Sequence, residues 1–422
     1  MFSMDPGPTA YRGDGQVIAA GLSPNTVYLA IKTKISAKGT TLDFEWNEQQ
    51  NAFYEKVVAF ARTELSDDVV QRDSQQVFNR DLWRKCADFG LLGLSIPEAY
   101  GGSEKEVMTI LRAMEGLGYG CPDNGLTFAI NAHIWTSQLP IFQFGSEAQR
   151  QKYLPAMCRG ELIGADAFTE PEAGSDVFSL QTHAKKVDGG YLLNGRKSYI
   201  TFGPVADVVV LFANTAPEKG KWGITAFLIE KDFPGFTRTP LRDKMGMRTV
   251  PMGDLILEDC FVPEENRLGR EGAGISISQS ALEWERCFIL ASQLGAMQRQ
   301  LDGAVQYARE RRQFNQPIGK FQSVSNRIAD MKVRLETARL MLYKVGWLKS
   351  QNRSAMMEAA ILKLFLSEAF VESSLDAIRI NGGRGYVSEF GVERQLRDAM
   401  GGVIYGGTSD IQRNIISRLL GL

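Results

Sequence analysis

The sequence predicts a mainly α-helical protein with a small β domain in its middle. Three observations carry that expectation: helix-period apolar patterns up to about residue 160, short β-rich runs over 161–274, and long helical patterns over 275–422. A chain of 422 residues has room for two or three domains at roughly 150 residues each. The pattern divides it into an extension or tail (1–42), an N-terminal helical domain (43–160), a middle β domain (161–274) and a C-terminal helical bundle (275–422).

Residues 1–42 mix Pro and Gly without a steady period and lack the basic, apolar, small-residue order of a secretory signal. Helical spacing starts in "DFEWNEQQNAFYEKVVAFARTEL", where Phe53, Val57, Val58, Phe60 and Ala61 share a face. It continues in "NRDLWRKCADFGLLGL", "EVMTILRAMEGLGYG" and "SEAQRQKYLPAMCRG", with "IPEAYGG" as a Pro/Gly connector. "GYLLNGRKSYIT", "ADVVVLFANTA", "WGITAFLIEKD" and "GDLILEDCFVP" read as strands bounded by Gly, Pro, Asn and Asp. From "ISQSALEWERCFILASQLG" onward helices return, and the first is expected to run unbroken to "YARERRQF".

Net charge is −1, which points away from nucleic acid as a partner. No apolar run reaches the ~20 residues of a membrane span. The cysteines (Cys86, Cys121, Cys158, Cys260, Cys287) are scattered and form no CxxC, which favours free thiols and a cytoplasmic setting. His133 and His183 lack ligand spacing, so no metal site is expected.

"NGGRGYVSEFG" and "GREGAG" are glycine-rich, but neither joins a strand to a helix in a βαβ unit, so a dinucleotide fold is a poor reading. "DAFTEPEAGSDVFSL" offers Thr169, Ser175 and loop amides where helix gives way to strand, although a capped turn would look the same. In "NGRKSYITFG", strand alternation puts Tyr199 and Thr201 on one face, an aromatic beside a hydroxyl that suits a flat heteroaromatic ring. In "YARERRQFNQPIGKFQSV", Arg309, Arg311 and Arg312 close a helix where cations meet the dipole, and Phe314 and Gln322 follow in a loop.

"FTEPEAGSDV", "NGRKSYIT", "RERRQF", "INGGRGY" and "YGGTSDIQR" stand in one order and spacing, and with "IPEAYGG" the chain from 43 to 422 resembles the acyl-CoA dehydrogenase family. The resemblance implies a helical domain, a small β domain and a C-terminal four-helix bundle, with FAD as cofactor. It places Phe168, Thr169 and Ser175 along the flavin and the thioester arm, Tyr199 near the ring and Thr201 near N5. Arg311, Phe314, Gln322, Arg379, Gly382 and Gly383 would reach the FAD of a neighbouring subunit, and Thr408 and Asp410 its adenosine end. That sharing implies a homo-oligomer, usually a tetramer. Tyr199 stands where tryptophan is frequent and Arg379 where glutamine is usual.

Most members of the family carry the catalytic glutamate at the loop position held here by Gly406. The carboxylate then has to come from elsewhere, or the site is inactive. Glu285 shares a helical face with Ala281, Leu282, Phe288, Ile289 and Ser292, and a carboxylate on an apolar face gains basicity as it loses hydration. Glu283 points elsewhere and could pair with Arg286 or, like Arg286 and Ser175, line the substrate site. "WER" is similar to the branch containing isovaleryl-CoA and long-chain acyl-CoA dehydrogenases, whose base precedes an arginine on this helix. The Gly406 amide could still donate to the thioester oxygen.

The expected activity is FAD-dependent oxidation of an acyl thioester carried by CoA or by a carrier protein, with an electron-transfer flavoprotein or oxygen as acceptor. "LEWER" also looks similar to prolyl-carrier-protein dehydrogenases. A flavin monooxygenase, or a flavoprotein without catalysis, on the same scaffold remains open from sequence.

Overall fold

The computed structural model describes residues 45–66, 68–240 and 242–422, so the 1–42 extension lies outside the described residues. The first helix, α1 (Glu48–Glu64), forms where a cap meets an apolar face. Asn47 Oδ1 accepts the Gln50 amide at 2.8 Å, Gln50 Oε1 accepts the Asn47 amide at 3.2 Å, and Val57, Val58 and Ala61 are buried. α2 (Val69–Gln75), α3 (Arg80–Asp88) and α4 (Val107–Gly120) follow. The next segment, given no element by the sequence reading, is also helical. α5 (Asn124–Ala132) passes through a π turn (His133–Gln138) into α6 (Leu139–Phe144), and α7 (Glu147–Cys158) closes the set. Nearly all of 124–141 is buried, so no polar face marks the helix period there.

The β region begins with β1 (Gly164–Ala167), followed by β2 (His183–Val187), β3 (Gly190–Thr201), β4 (Val208–Asn214), β5 (Ile224–Glu230), β6 (Phe236–Arg238), β7 (Met252–Pro263) and β8 (Arg267–Leu268). They form one sheet in the order β6-β7-β3-β2-β4-β5-β8, with β1 parallel to β4.

In the C-terminal region α8 (Gly274–Phe288) is separated from α9 (Ala291–Glu310) by a turn at Ile289–Leu290, where the sequence suggested one continuous helix. Ser292 therefore does not extend the Glu285 face; its hydroxyl accepts from Asn131 Nδ2 at 3.2 Å. A hairpin of β9 (Arg312–Gln313) and β10 (Gln316–Pro317) leads to α10 (Gln322–Ser350), α11 (Met356–Asn381), α12 (Val392–Gly402) and α13 (Ser409–Leu419).

Two close approaches lock the helical layers. A Cβ on Gly118 of α4 would fall 1.7 Å from the Ser292 carbonyl oxygen, and one on Gly295 of α9 would fall 1.9 Å from that of Glu115, so these backbones touch. β1 is tied to the helical domain by His133, whose Nδ1 accepts the Gly164 amide at 3.1 Å while Nε2 lies 3.3 Å from the Met157 carbonyl. Because Nδ1 accepts, the proton sits on Nε2 and the ring is neutral.

Burial lowers the His133 pKa from 6.5 to about 4, so the unfolded chain binds a proton that the folded chain refuses. Stability is thus full above pH 6.5 and falls as the pH drops toward 4, by up to ~3 kcal/mol. Thermal unfolding from pH 7 to 4 should show this slope, and His133→Gln should flatten it whatever its own melting temperature.

Candidate active site

The loop between α12 and α13 is held by its carbonyls. Gly406 and Gly407 have φ of +64° and +88°, a conformation open to glycine but strained for other residues. The Gly406 oxygen accepts from Arg286 Nε of α8 at 3.3 Å and Gln412 Nε2 of α13 at 3.0 Å. The Gly407 oxygen accepts from Lys363 Nζ of α11 at 2.6 Å and again from Gln412 at 3.0 Å. Upstream, the Tyr405 hydroxyl accepts from Gln293 at 2.7 Å and its ring lies 4.6 Å from that of Phe128. Downstream, Thr408 caps α13 by accepting the Ile411 amide at 3.2 Å. With the carbonyls so engaged, the Gly406 and Gly407 amides have no acceptor among the described residues.

Glu285 faces this loop. A Cβ placed on Gly406 would lie 3.3 Å from Glu285 Oε1 and 3.6 Å from Cδ, so the helix carboxyl sits against the volume a loop side chain would enter. Aromatic packing sets the rotation of α8: Trp284 stacks on Trp135 of the π turn at 5.8 Å and 9°, and Phe288 lies 5.1 Å from Trp135. Burial lifts the Glu285 pKa above its ordinary value, and the charges of Arg286 and Lys363 draw part of that shift back. Its carboxyl has no hydrogen-bond partner among the described residues. A desolvated, unengaged carboxylate beside two free amides can accept a proton from a bound carbon acid.

Glu283 has a different place from the one expected. It accepts from Lys349 Nζ at 2.9 Å and from the Ala355 amide at 3.3 Å, tying α8 to the α10–α11 connection instead of pairing with Arg286. Arg286 instead grips Gly406.

The two β-domain motifs meet through the Ser198 amide, which donates to the Thr169 carbonyl at 2.9 Å. Lys197, fully buried, donates to the Phe168 carbonyl at 3.2 Å and pairs with Glu170 at 2.8 Å. The Phe168 ring is buried edge-on against Phe212 at 4.5 Å, so its side chain belongs to the domain core and not to a ligand surface. The simple alternation expected for Tyr199 and Thr201 is interrupted by a register shift between Lys197 and Ile200, with Tyr199 at φ +61°. Its amide donates to Asp254 Oδ1 at 3.3 Å, and the Arg242 guanidinium lies 4.7 Å from the centre of its exposed ring. Burial alone would raise the Asp254 pKa, but hydrogen bonds from Arg242 and Arg196 outweigh it and bring it to about 2. Ser175 stands on the exposed loop before β2.

A second cluster forms near the α9–α10 hairpin. Arg311 ends α9, Phe314 is 88% exposed at the hairpin tip, and Gln322 is the first residue of α10, not a loop residue. Arg379 lies in the last turn of α11, before Gly382 and Gly383, where an added Cβ would meet nothing within 4 Å. Asp376 receives Arg327, Arg334 and Arg379 at 2.9, 2.8 and 3.2 Å, so three guanidinium groups share one carboxylate and positive charge is left over. Arg384 lies over Tyr307 at 5.3 Å and joins the α11–α12 connection to α9. Asp410 pairs with Arg413 at the start of α13. No hydrogen bond or ion pair runs directly from the arginine cluster to Glu285 or the 406–407 loop among the described residues. An exposed ring beside a guanidinium in one place, and an open cationic cradle in another, fit the two ends of a long cofactor such as FAD.

Lys363 and Gln412 were not singled out from sequence. A lone lysine inside "EAAILKLFLSEAF" was the available signal for the first, and Gln412 had none.

Comparison with known proteins supplies independent findings. Models of the acyl-CoA dehydrogenase N-terminal, middle and C-terminal domains match residues 47–161, 165–260 and 272–421. The chain is 41% identical to an L-prolyl-[peptidyl-carrier protein] dehydrogenase of Pseudomonas fluorescens, over 90% of this chain and 100% of that one. It is 40% identical to a mitochondrial isovaleryl-CoA dehydrogenase of Oryza sativa subsp. japonica, over 89% and 92%. Among solved structures, the prolyl acyl carrier protein oxidase AnaB superposes with a TM-score of 0.88 at 49% identity, and PigA with FAD and proline at 0.88 and 40%, each covering 90% of this chain and 100% of the other.

Replacing Lys363 by Met should loosen the loop. Loss of a buried hydrogen bond to a charged group is worth ~1.5–3 kcal/mol. Hydrogen exchange at the Ile411 and Gln412 amides should accelerate accordingly, while exchange in α4 stays unchanged.

Proposed function

The chain belongs to the acyl-CoA dehydrogenase family and is an FAD-dependent acyl-thioester dehydrogenase, and we propose that Glu285 is its α-proton base. The observation that carries this reading is the placement of the Glu285 carboxyl against the space above Gly406, with the Gly406 amide unengaged beside it. Bound FAD supplies the acceptor for the hydride that leaves the β-carbon. The chain supplies the rest. Glu285 removes the proton from the carbon next to the thioester carbonyl. The Gly406 N–H donates to the carbonyl oxygen, where charge develops, and fixed donors count most there. Arg286, Lys363 and Gln412 hold the loop through the Gly406 and Gly407 carbonyls, just downstream of that amide, and the two cations also favour ionised Glu285 before reaction. Trp135 and Trp284 keep water from this wall.

For the cofactor, the ring end falls to Thr169, Tyr199 and Thr201, with Phe168 contributing backbone only and Ser175 at the thioester arm. Arg311, Phe314, Gln322, Arg379, Gly382 and Gly383 would serve the FAD of a second copy, with Thr408 and Asp410 toward its adenosine end. The separation of the two clusters supports a homo-oligomer, with a tetramer as the expected form. A stripe on α10 supports it further: Val333, Leu340 and Trp347 recur at seven-residue spacing and remain 64%, 55% and 37% exposed.

The substrate reading we favour is an L-prolyl group on a carrier protein, supported by the prolyl relatives at 41% and 49% identity. An acyl-CoA of the isovaleryl type is the second reading, supported by the plant relative. Either an electron-transfer flavoprotein or oxygen would take the electrons. The five cysteines, all free and buried, suit a reducing compartment such as the cytoplasm.

Anaerobic flavin bleaching with CoA and carrier-bound thioesters tests the base. Glu285→Gln should keep FAD but slow reduction on the order of 10²-fold or more. In the wild type the acidic limb of the rate should lie above the ordinary carboxylate value of 4.5, because the base acts only when ionised, and that limb should vanish in the variant. Comparable rates in the two proteins would place the base elsewhere. For assembly, sedimentation should give an oligomer for the wild type and a smaller species, with weaker FAD retention, for Leu340→Asp; a monomeric wild type with full FAD would overturn it.

A further inference from the structure

β1 brings a second carboxylate to the neighbourhood of the base. Asp166 is the one residue of that strand left partly open, while Gly164, Ala165 and Ala167 are buried. Strand register sets it opposite Val210 of β4, in the sheet that faces the helical layers through the π turn. Its carboxyl makes no hydrogen bond or ion pair with any described residue. The charges that act on it belong to Glu285 of α8 and Lys197 of β3. Lys197 acts on it only through space, since its ammonium is engaged by Glu170 and the Phe168 carbonyl.

Removal of an α-proton requires one carboxylate, and Asp166 is not that one. Its presence has a cost, since burial and the nearby Glu285 charge push its pKa well above the usual range and the Lys197 charge offsets only part of that. A cation placed between the two carboxyls would relieve both effects at once. The α-nitrogen of an aminoacyl thioester is one bond from the carbon that Glu285 attacks, so it reaches the cavity next to the base. We propose that Asp166 binds the protonated α-nitrogen of the acyl group, making this site selective for α-aminoacyl thioesters, including cyclic ones, over plain alkyl acyl groups. The inference rests on the reading of Glu285 as α-proton base. Selectivity here has two parts: attraction of an ammonium, and rejection of a methylene that would bury the carboxylate without a partner.

The test uses two pantetheine thioesters of the same ring size, L-prolyl and cyclopentanecarbonyl, which differ by NH against CH₂ at one position. Pantetheine is the arm common to CoA and carrier proteins, so the carrier question does not enter. Anaerobic flavin reduction by the wild type should favour the prolyl thioester on the order of 10²-fold or more, as for a site built around one polar group. Asp166→Asn should bring the ratio toward one with the FAD spectrum unchanged, and Asp166→Leu should reverse it. An unchanged ratio in Asp166→Asn overturns the proposal, as does a wild type that reduces both thioesters equally or prefers the carbocycle; in those cases the dehydrogenase reading stands. Should Glu285→Gln match the wild type with every thioester, the reading of the base fails, and this inference fails with it.

Discussion

Four hydrogen bonds to two glycine carbonyls set the geometry on which the site depends. Arg286, Lys363 and Gln412 arrive from three different helices, and each spends its donor on backbone instead of on a ligand. In a trans peptide a held carbonyl oxygen leaves the next residue's N–H directed the other way, so these bonds orient the Gly407 and Thr408 amides, with the Gly406 amide one peptide upstream in the same turn. The same contacts draw two cations up to the Glu285 carboxyl without pairing with it, so burial and charge oppose each other there. Burial also brings the Lys363 pKa down to about 8, although the nearby Glu285 charge acts the other way.

The β domain uses a comparable arrangement. Asp254 takes two arginines and the Tyr199 amide, and this holds an aromatic residue in a left-handed conformation at the edge of a long strand. The strain is local, and the charges that maintain it stand on β3, β7 and the segment between β6 and β7. On the helical side, contact of bare backbone between Gly118 and Ser292 and between Gly295 and Glu115 fixes how α9 follows α8. The base and the loop it faces are therefore mounted on elements with little freedom to slide.

Amphipathic helices were legible in the sequence because burial on one side leaves a period, as with Val57, Val58 and Ala61, whereas β4 and β5, buried on both faces, were legible as short β-rich runs bounded by turn residues. The helices between Cys121 and Gly145 were not, because burial all round erases it. Glu285 could be singled out from its neighbours on one helix, since helical spacing is local information. Lys363 could not, since its partner is a carbonyl 44 residues away along the chain, and Gln412 could not, since a side chain reaching back to the carbonyls of the preceding loop leaves no periodic trace. Asp166 stands at the start of the motif that offers Thr169 and Ser175, and nothing local tells a strand carboxylate turned inward from one at the surface. The bulge at Tyr199 had no composition signal either, because one extra residue in a strand looks like any other.

The 3.3 Å between Glu285 and the unfilled corner of Gly406 also bears on how such a site can change over time. Two walls compete for one small volume, so an acid group on the loop and one on the helix cannot readily coexist. A lineage moving the proton acceptor from one wall to the other would have to vacate the first position before the second could be filled. The passage runs through an intermediate with weak or no turnover, and a descendant that has crossed it is held on its side by simple lack of room.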